Sequence, residues 1–175
     1  MLLAAPIQAA FAPARMSDVF DAVPIIVDAT IMGARASRWD HRNGTAICGT
    51  TFDARIHQSF KGGVVEALTF ATDGPLSVPG RYVLFLYRSS GRFPTDTYVK
   101  LTESEESELD ACVRELPQLR ATWVTAIEIA DSDLARFKAG FVPPEELSEF
   151  AFEANLLPYE RVREWIVARA SASDR

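Results

Sequence analysis

The chain has 175 residues, 48% of them hydrophobic and 24% charged, a balance that supports one packed domain with an appendage. Its net charge of −6 argues against nucleic acid and anionic membrane surfaces as partners, since both require clustered Lys and Arg. No apolar run approaches the ~20 residues that span a bilayer, and no internal repeat is present.

Residues 1–12, MLLAAPIQAAFA, are apolar and too short to span a membrane. Ala10-Phe11-Ala12 has the small-x-small form of a signal-peptidase site, and Ala12-Pro13-Ala14 offers a second. Residues 1–14 are therefore read as a signal-peptide remnant, against the alternative of a frayed cytosolic N-terminus. Next, Val19–Met32 is rich in β-branched residues. Ile25, Val27, Ala29 and Ile31 alternate with Ile26, Asp28, Thr30 and Met32, the period of a half-buried strand. Arg35–Gly44 reads as a polar loop ending in the turn dipeptide Asn43-Gly44. Thr50–Phe60 alternates again, with Phe52, Ala54 and Ile56 inward and Asp53, Arg55 and His57 outward. Lys61-Gly62-Gly63 interrupts it. Val64–Thr72 is the third expected strand. Tyr82–Tyr87, nearly all apolar, is expected to be buried on both faces. Phe93–Leu101 is the fifth. Five short strands with turn punctuation predict a mainly β protein, a small antiparallel barrel or sandwich.

The character then changes. Thr102 is placed to cap a helix through Leu116, with Glu103, Glu105, Glu106 and Glu108 near its start and Arg114 near its end. Pro117 stops it. Thr122–Ile129 reads as a further strand, and Asp131-Ser132-Asp133 as the cap of a short helix through Lys138. Pro143-Pro144-Glu145-Glu146 opens another helix and Pro158 the last, where Val162, Trp165 and Ile166 fall at helical spacing. Residues 117–175 are thus expected to be a mostly helical extension.

The two cysteines, Cys48 and Cys112, are too far apart for a CxxC redox or zinc motif. An even count in a small chain fits a disulfide formed in an oxidising compartment, the alternative being two buried thiols. Chain entropy gives a loop of this length about 4 kcal/mol.

The strands VPIIVDATI (Val23–Ile31), TFDARIHQSFKG (Thr51–Gly62), LTFATDG (Leu68–Gly74) and PGRYVLFL (Pro79–Leu86), with Cys48 before the second, carry a resemblance. The chain resembles the netrin-like domains, which include the tissue inhibitors of metalloproteinases and small bacterial exported proteins. Phe60-Lys61-Gly62 and Gly80–Leu86 hold the most recognisable motifs, and the likeness covers roughly residues 17–115. It implies a five-stranded barrel of the oligonucleotide/oligosaccharide-binding (OB) type over 17–116, a disulfide, and a periplasmic or extracellular site of action. The inhibitors of that family chelate an enzyme's zinc with an N-terminal Cys. Cys48 is internal, so an inhibitor-like role here would lack that mechanism.

No GxSxG, HExxH, Walker A or GxGxxG motif is present, and no cofactor, metal or catalytic residue is assigned. His41 and His57 are the only histidines. Asp53 and His57 share a strand face, which makes a small hydrolase or metal-binding enzyme the alternative to a binding module. A solvated polar face explains the same pattern. Glu105/Glu106 and Glu145/Glu146 sit in expected first helical turns, where dipole compensation accounts for them. Arg38, Trp39, His41 and Arg42 form the candidate contact surface: an aromatic and cationic segment in an acidic chain, directed at a protein or small-molecule partner.

Overall fold

The computed structural model describes residues 13–42, 44–93, 101–130, 133–151, 153 and 155–173. The elements are β1 (Ala14–Arg15), α1 (Met16–Ala22), β2 (Ile25–His41), β3 (Gly44–Lys61), β4 (Ala67–Thr72), β5 (Gly80–Arg88), α2 (Glu103–Arg114), β6 (Leu119–Ala121), β7 (Ile127–Ile129), β8 (Leu134–Arg136), β9 (Phe141–Val142), β10 (Leu156–Pro158) and α3 (Tyr159–Ser173), with 3-10 turns at Trp123–Thr125 and Glu145–Phe150.

Among the described residues, eight strands form one mixed sheet in the order β10-β8-β7-β5-β2-β3-β4-β6, and β6 also pairs with β5. The second pairing closes a cycle of five strands, β5-β2-β3-β4-β6. Arg120 of β6 is set against Ala71 of β4 on one side and Tyr87 of β5 on the other. The β4–β6 pairing is parallel, whereas β2–β3, β2–β5 and β3–β4 are antiparallel. The expected five-stranded antiparallel sheet is thereby corrected to an eight-stranded mixed one.

Burial follows the residue alternation. Ile25, Val27, Ala29 and Ile31 of β2 pack with Phe52, Ala54, Phe70, Tyr82, Leu84 and Leu86 in one cluster. Phe52 and Phe70, register partners, stack with centroids 5.6 Å apart. The intervening residues Ile26, Val83 and Phe85 belong to a second cluster with Met16 and Phe20 of α1 and Val162 and Ile166 of α3. β5 is therefore buried on both faces over Tyr82–Leu86, as its unbroken apolar run predicts. β2 departs from the half-buried expectation, because α1 and α3 cover the face that alternation assigns to solvent. Ile26 is fully buried and Asp28 is 1% exposed.

Other differences have local causes. Met16–Ala22 is helical rather than part of the first strand, placing Met16 and Phe20 one turn apart on the buried side. The expected helix over Asp131–Lys138 is strand β8 at Leu134–Arg136, drawn into pairing with β7 and β10. The helix after Pro144 is a 3-10 turn. Residues 117–175 supply four strands of the main sheet as well as α3. The expected fifth strand falls mainly on residues 94–100, and the signal-peptide reading of 1–14 mainly on 1–12, stretches outside the described residues.

Candidate interaction surface

Arg35–Gly44 is not a loop. β2 and β3 continue past β5 as a ribbon with register Gly33↔Asp53 through His41↔Gly44, flanked by β4 on the β3 side as far as Thr50↔Thr72 and two-stranded from Ser37↔Gly49 onward. The ribbon leaves β5 behind after Ile31↔Gly80. The last register pair is His41↔Gly44, and Gly44 takes φ +121°, a conformation that favours glycine. Two irregularities shape the ribbon. Met32 has no register partner between Ile31↔Ala54 and Gly33↔Asp53, and it stands 58% exposed. Cys48 is the extra residue between Ser37↔Gly49 and Arg38↔Ile47. Such bulges bend a strand and re-aim a side chain, here the Cys48 sulfur toward α2.

Among the described residues, a disulfide, an apolar cluster and a polar contact at the tip fasten the ribbon to α2. Cys48 and Cys112 form a disulfide with Cα atoms 6.2 Å apart. Both cysteines are buried in a cluster with Ala71, Phe93, Leu109, Val113 and Leu116, against which Trp39 packs. At the tip, the Arg42 backbone N–H donates to Glu105 Oε1 at 3.2 Å, and its guanidinium lies 3.6 Å from the same oxygen. Glu105 is itself part of a capping box. Thr102 N–H and hydroxyl donate to Glu105 Oε2 at 2.8 and 2.9 Å, and Glu105 N–H donates back to the Thr102 hydroxyl. The Thr102 backbone donor, with those from Arg42 and the Thr102 hydroxyl, holds the Glu105 carboxyl down to about 2.

The four candidate contact residues therefore divide. Trp39 and His41 are half-buried, their rings 5.1 Å apart, with Trp39 directed at the α2 cluster. Arg42 joins the tip to α2. Arg38 is exposed, and so are Arg35, Thr45 and Ile47. Among the described residues neither Arg35 nor Arg38 has a carboxylate partner. Trp39 thus packs toward α2, while Arg35, Arg38 and Arg42 are exposed cations of the ribbon.

Asp53 and His57 are not brought together. Asp53 accepts from the Thr69 hydroxyl on β4 at 2.8 Å. His57 sits 2.7 Å from the Thr30 hydroxyl on β2. Each is engaged with a different neighbouring strand. Among the described residues no group of three or more His, Cys, Asp or Glu side chains is placed to hold a metal ion.

The sequence matches no protein-family model and no curated protein.

One buried polar centre escaped the sequence reading. Arg81 of β5 donates from Nε and Nη2 to the two oxygens of Asp28 at 3.0 and 2.6 Å. The Tyr159 hydroxyl, at the start of α3, donates to Asp28 Oδ2 at 2.5 Å. The guanidinium also lies 5.1 Å from the Tyr159 ring centre. Burial first, then the bond to Asp28, pushes the Tyr159 hydroxyl's ionisation above its usual range. Arg81 borders an open polar groove of about 640 Å³ that is also lined by Thr30, Glu128, Asp133 and Arg136. Arg136 is paired with Glu128 at 3.1 Å. The only available sequence signal was a carboxylate on the strand face opposite Val27 and Ala29. Alternation assigned that face to solvent.

Proposed function

We propose that this chain is a non-catalytic, exported interaction module of netrin-like OB type that presents the β2–β3 ribbon to a protein partner. The cycle β5-β2-β3-β4-β6, with its parallel β4–β6 closure, supports an OB-type barrel. A buried disulfide supports an oxidising compartment. The observation that carries the interaction reading is the ribbon itself. It is held on one side by the disulfide, by Trp39 and by the Arg42–Glu105 contact, and its remaining surface exposes Arg35, Arg38 and Ile47. A segment fixed in place before binding loses less conformational entropy on association than a mobile loop.

The test uses the full chain as bait on the exported fraction of its source cells, beside an Arg35→Glu/Arg38→Glu variant of matched thermal stability. The wild type is expected to retain a discrete protein in stoichiometric amount and the variant to lose it. Equal retention by both would move the contact away from the ribbon. No retained protein with either bait would refute an interaction module.

A further inference from the structure

We infer that the free edge of β2 over Gly33–Ser37 accepts an extended acidic peptide as an added strand. The inference rests on the ribbon being the contact surface and specifies how it binds. β5 covers the edge of β2 only over Ile25–Ile31. Beyond that, among the described residues, β2 pairs with β3 alone. The five residues Gly33–Ser37 pair without irregularity with Asp53–Gly49, between the bulges at Met32 and Cys48. In such a ladder alternate residues turn their N–H and C=O groups away from the partner strand. A straight row of donors and acceptors therefore faces outward, the template on which strand addition operates.

The side chains along this stretch favour access. Gly33, Ala34, Ala36 and Ser37 are small, and each is exposed or half-buried. Arg35 stands at the segment's centre and Arg38 just beyond its end, three residues apart. Because side chains alternate along a strand, they fall on opposite faces. An added strand would meet one cation on each side of its own backbone. That pattern selects acidic side chains on both faces of the guest, and it stands out in a chain of net charge −6. The same arginines disfavour a second copy of this chain. An antiparallel edge pairing centred on Arg35 sets the two Arg35 side chains opposite each other. One centred between Ala36 and Ser37 sets Arg35 opposite Arg38. Like charges directly opposite are destabilising.

The probe is a fluorescein-labelled octapeptide carrying glutamates on both faces, titrated by fluorescence polarisation against the intact, oxidised protein. Saturable binding is expected, weakened by salt. Affinity should fall about tenfold or more in the Arg35→Glu/Arg38→Glu variant. A lysine counterpart should not bind. Two further probes, N-methylated at odd or at even positions, keep the charge but block one or the other bonding edge, and at least one of them must lose binding. Equal binding by both methylated probes would make the contact electrostatic only and overturn strand addition. Failure of the glutamate probe to bind would overturn it too, leaving the arginines as protection of an exposed edge. If the native partner is nonetheless lost from the charge-reversed bait, the ribbon reading stands without this one. If the partner is retained, the ribbon reading falls independently of the peptide result.

Discussion

Replacing Tyr159 by Phe isolates a single atom in the buried polar centre. The ring keeps its place, since the residue is 6% exposed and packs in the cluster shared by α1, α3 and β5. Its contact with the Arg81 guanidinium survives as well. What is lost is one hydrogen bond to an ionised carboxylate, worth about 1.5–3 kcal/mol. Asp28 is not left unpaired, because both its oxygens still accept from Arg81. For a chain of this size each kcal/mol moves Tm by about 2–4 °C, so the melting temperature should fall by about 3–12 °C. Asp28→Ala should cost more, about 3–5 kcal/mol, since it leaves the Tyr159 hydroxyl buried without its acceptor. The Arg81 side chain, 37% exposed, can turn to water and moderates that cost. The double variant should cost less than the sum of the two, with a coupling of about 1–2 kcal/mol in denaturant titrations. The sign of the pH effect follows from the raised ionisation of Tyr159. The contribution is fully present below the ordinary tyrosine range near ~10 and is lost as pH rises above it, so Tyr159→Phe should flatten the alkaline limb of the stability profile. A Tyr159→Phe protein within about 0.5 kcal/mol of wild type, or strict additivity of the two substitutions, would refute the reasoning.

Removing either cysteine of the 48–112 pair, 64 residues apart, should lower stability by roughly 2–5 kcal/mol in urea titrations, and thiol counting on the denatured, unreduced protein should find no free thiol. Phe85→Asp should prevent cooperative folding, checked by thermal melting and near-ultraviolet dichroism. The side chain is 1% exposed, its ring meets Phe141 edge-on at 5.7 Å, and a carboxylate there has no partner. Glu105, held down to about 2, contributes stability that is present above the ordinary glutamate range and is lost as pH falls toward 2. Glu105→Gln should therefore flatten the acid limb between about pH 4.5 and 2 in melts across that range. Gly49→Ala should be destabilising, because an added Cβ would lie 2.7 Å from the Leu116 side chain and 3.0 Å from Phe93, both buried beneath the ribbon.

Sequence alone determined the features that depend on near neighbours or on composition. The run Tyr82–Leu86 has no polar residue to offer either face, so its burial on both sides was legible before any partner was known. Phe52 and Ala54 alternate with Asp53 and Arg55, and the structure buries the first pair and exposes the second. Thr102 with Glu105 forms the cap that its spacing announces. Cys48 had only Cys112 to pair with. The tertiary structure decided everything that depends on which distant segment lies alongside. β6, β7, β8 and β10 are three residues each, too short to show a period, and their strand character comes from the neighbours they pair with. Asp28 looked solvent-facing because alternation describes one strand and not the helix that covers it. Its partner Tyr159 lies 131 residues away, joined only when α3 packs across β2. The ribbon likewise became a surface rather than a loop through register, since pairing from Gly33 to His41 extends a strand through residues whose composition reads as a turn. Local sequence constrains backbone and side-chain pattern, whereas burial and partnership are properties of the packed whole.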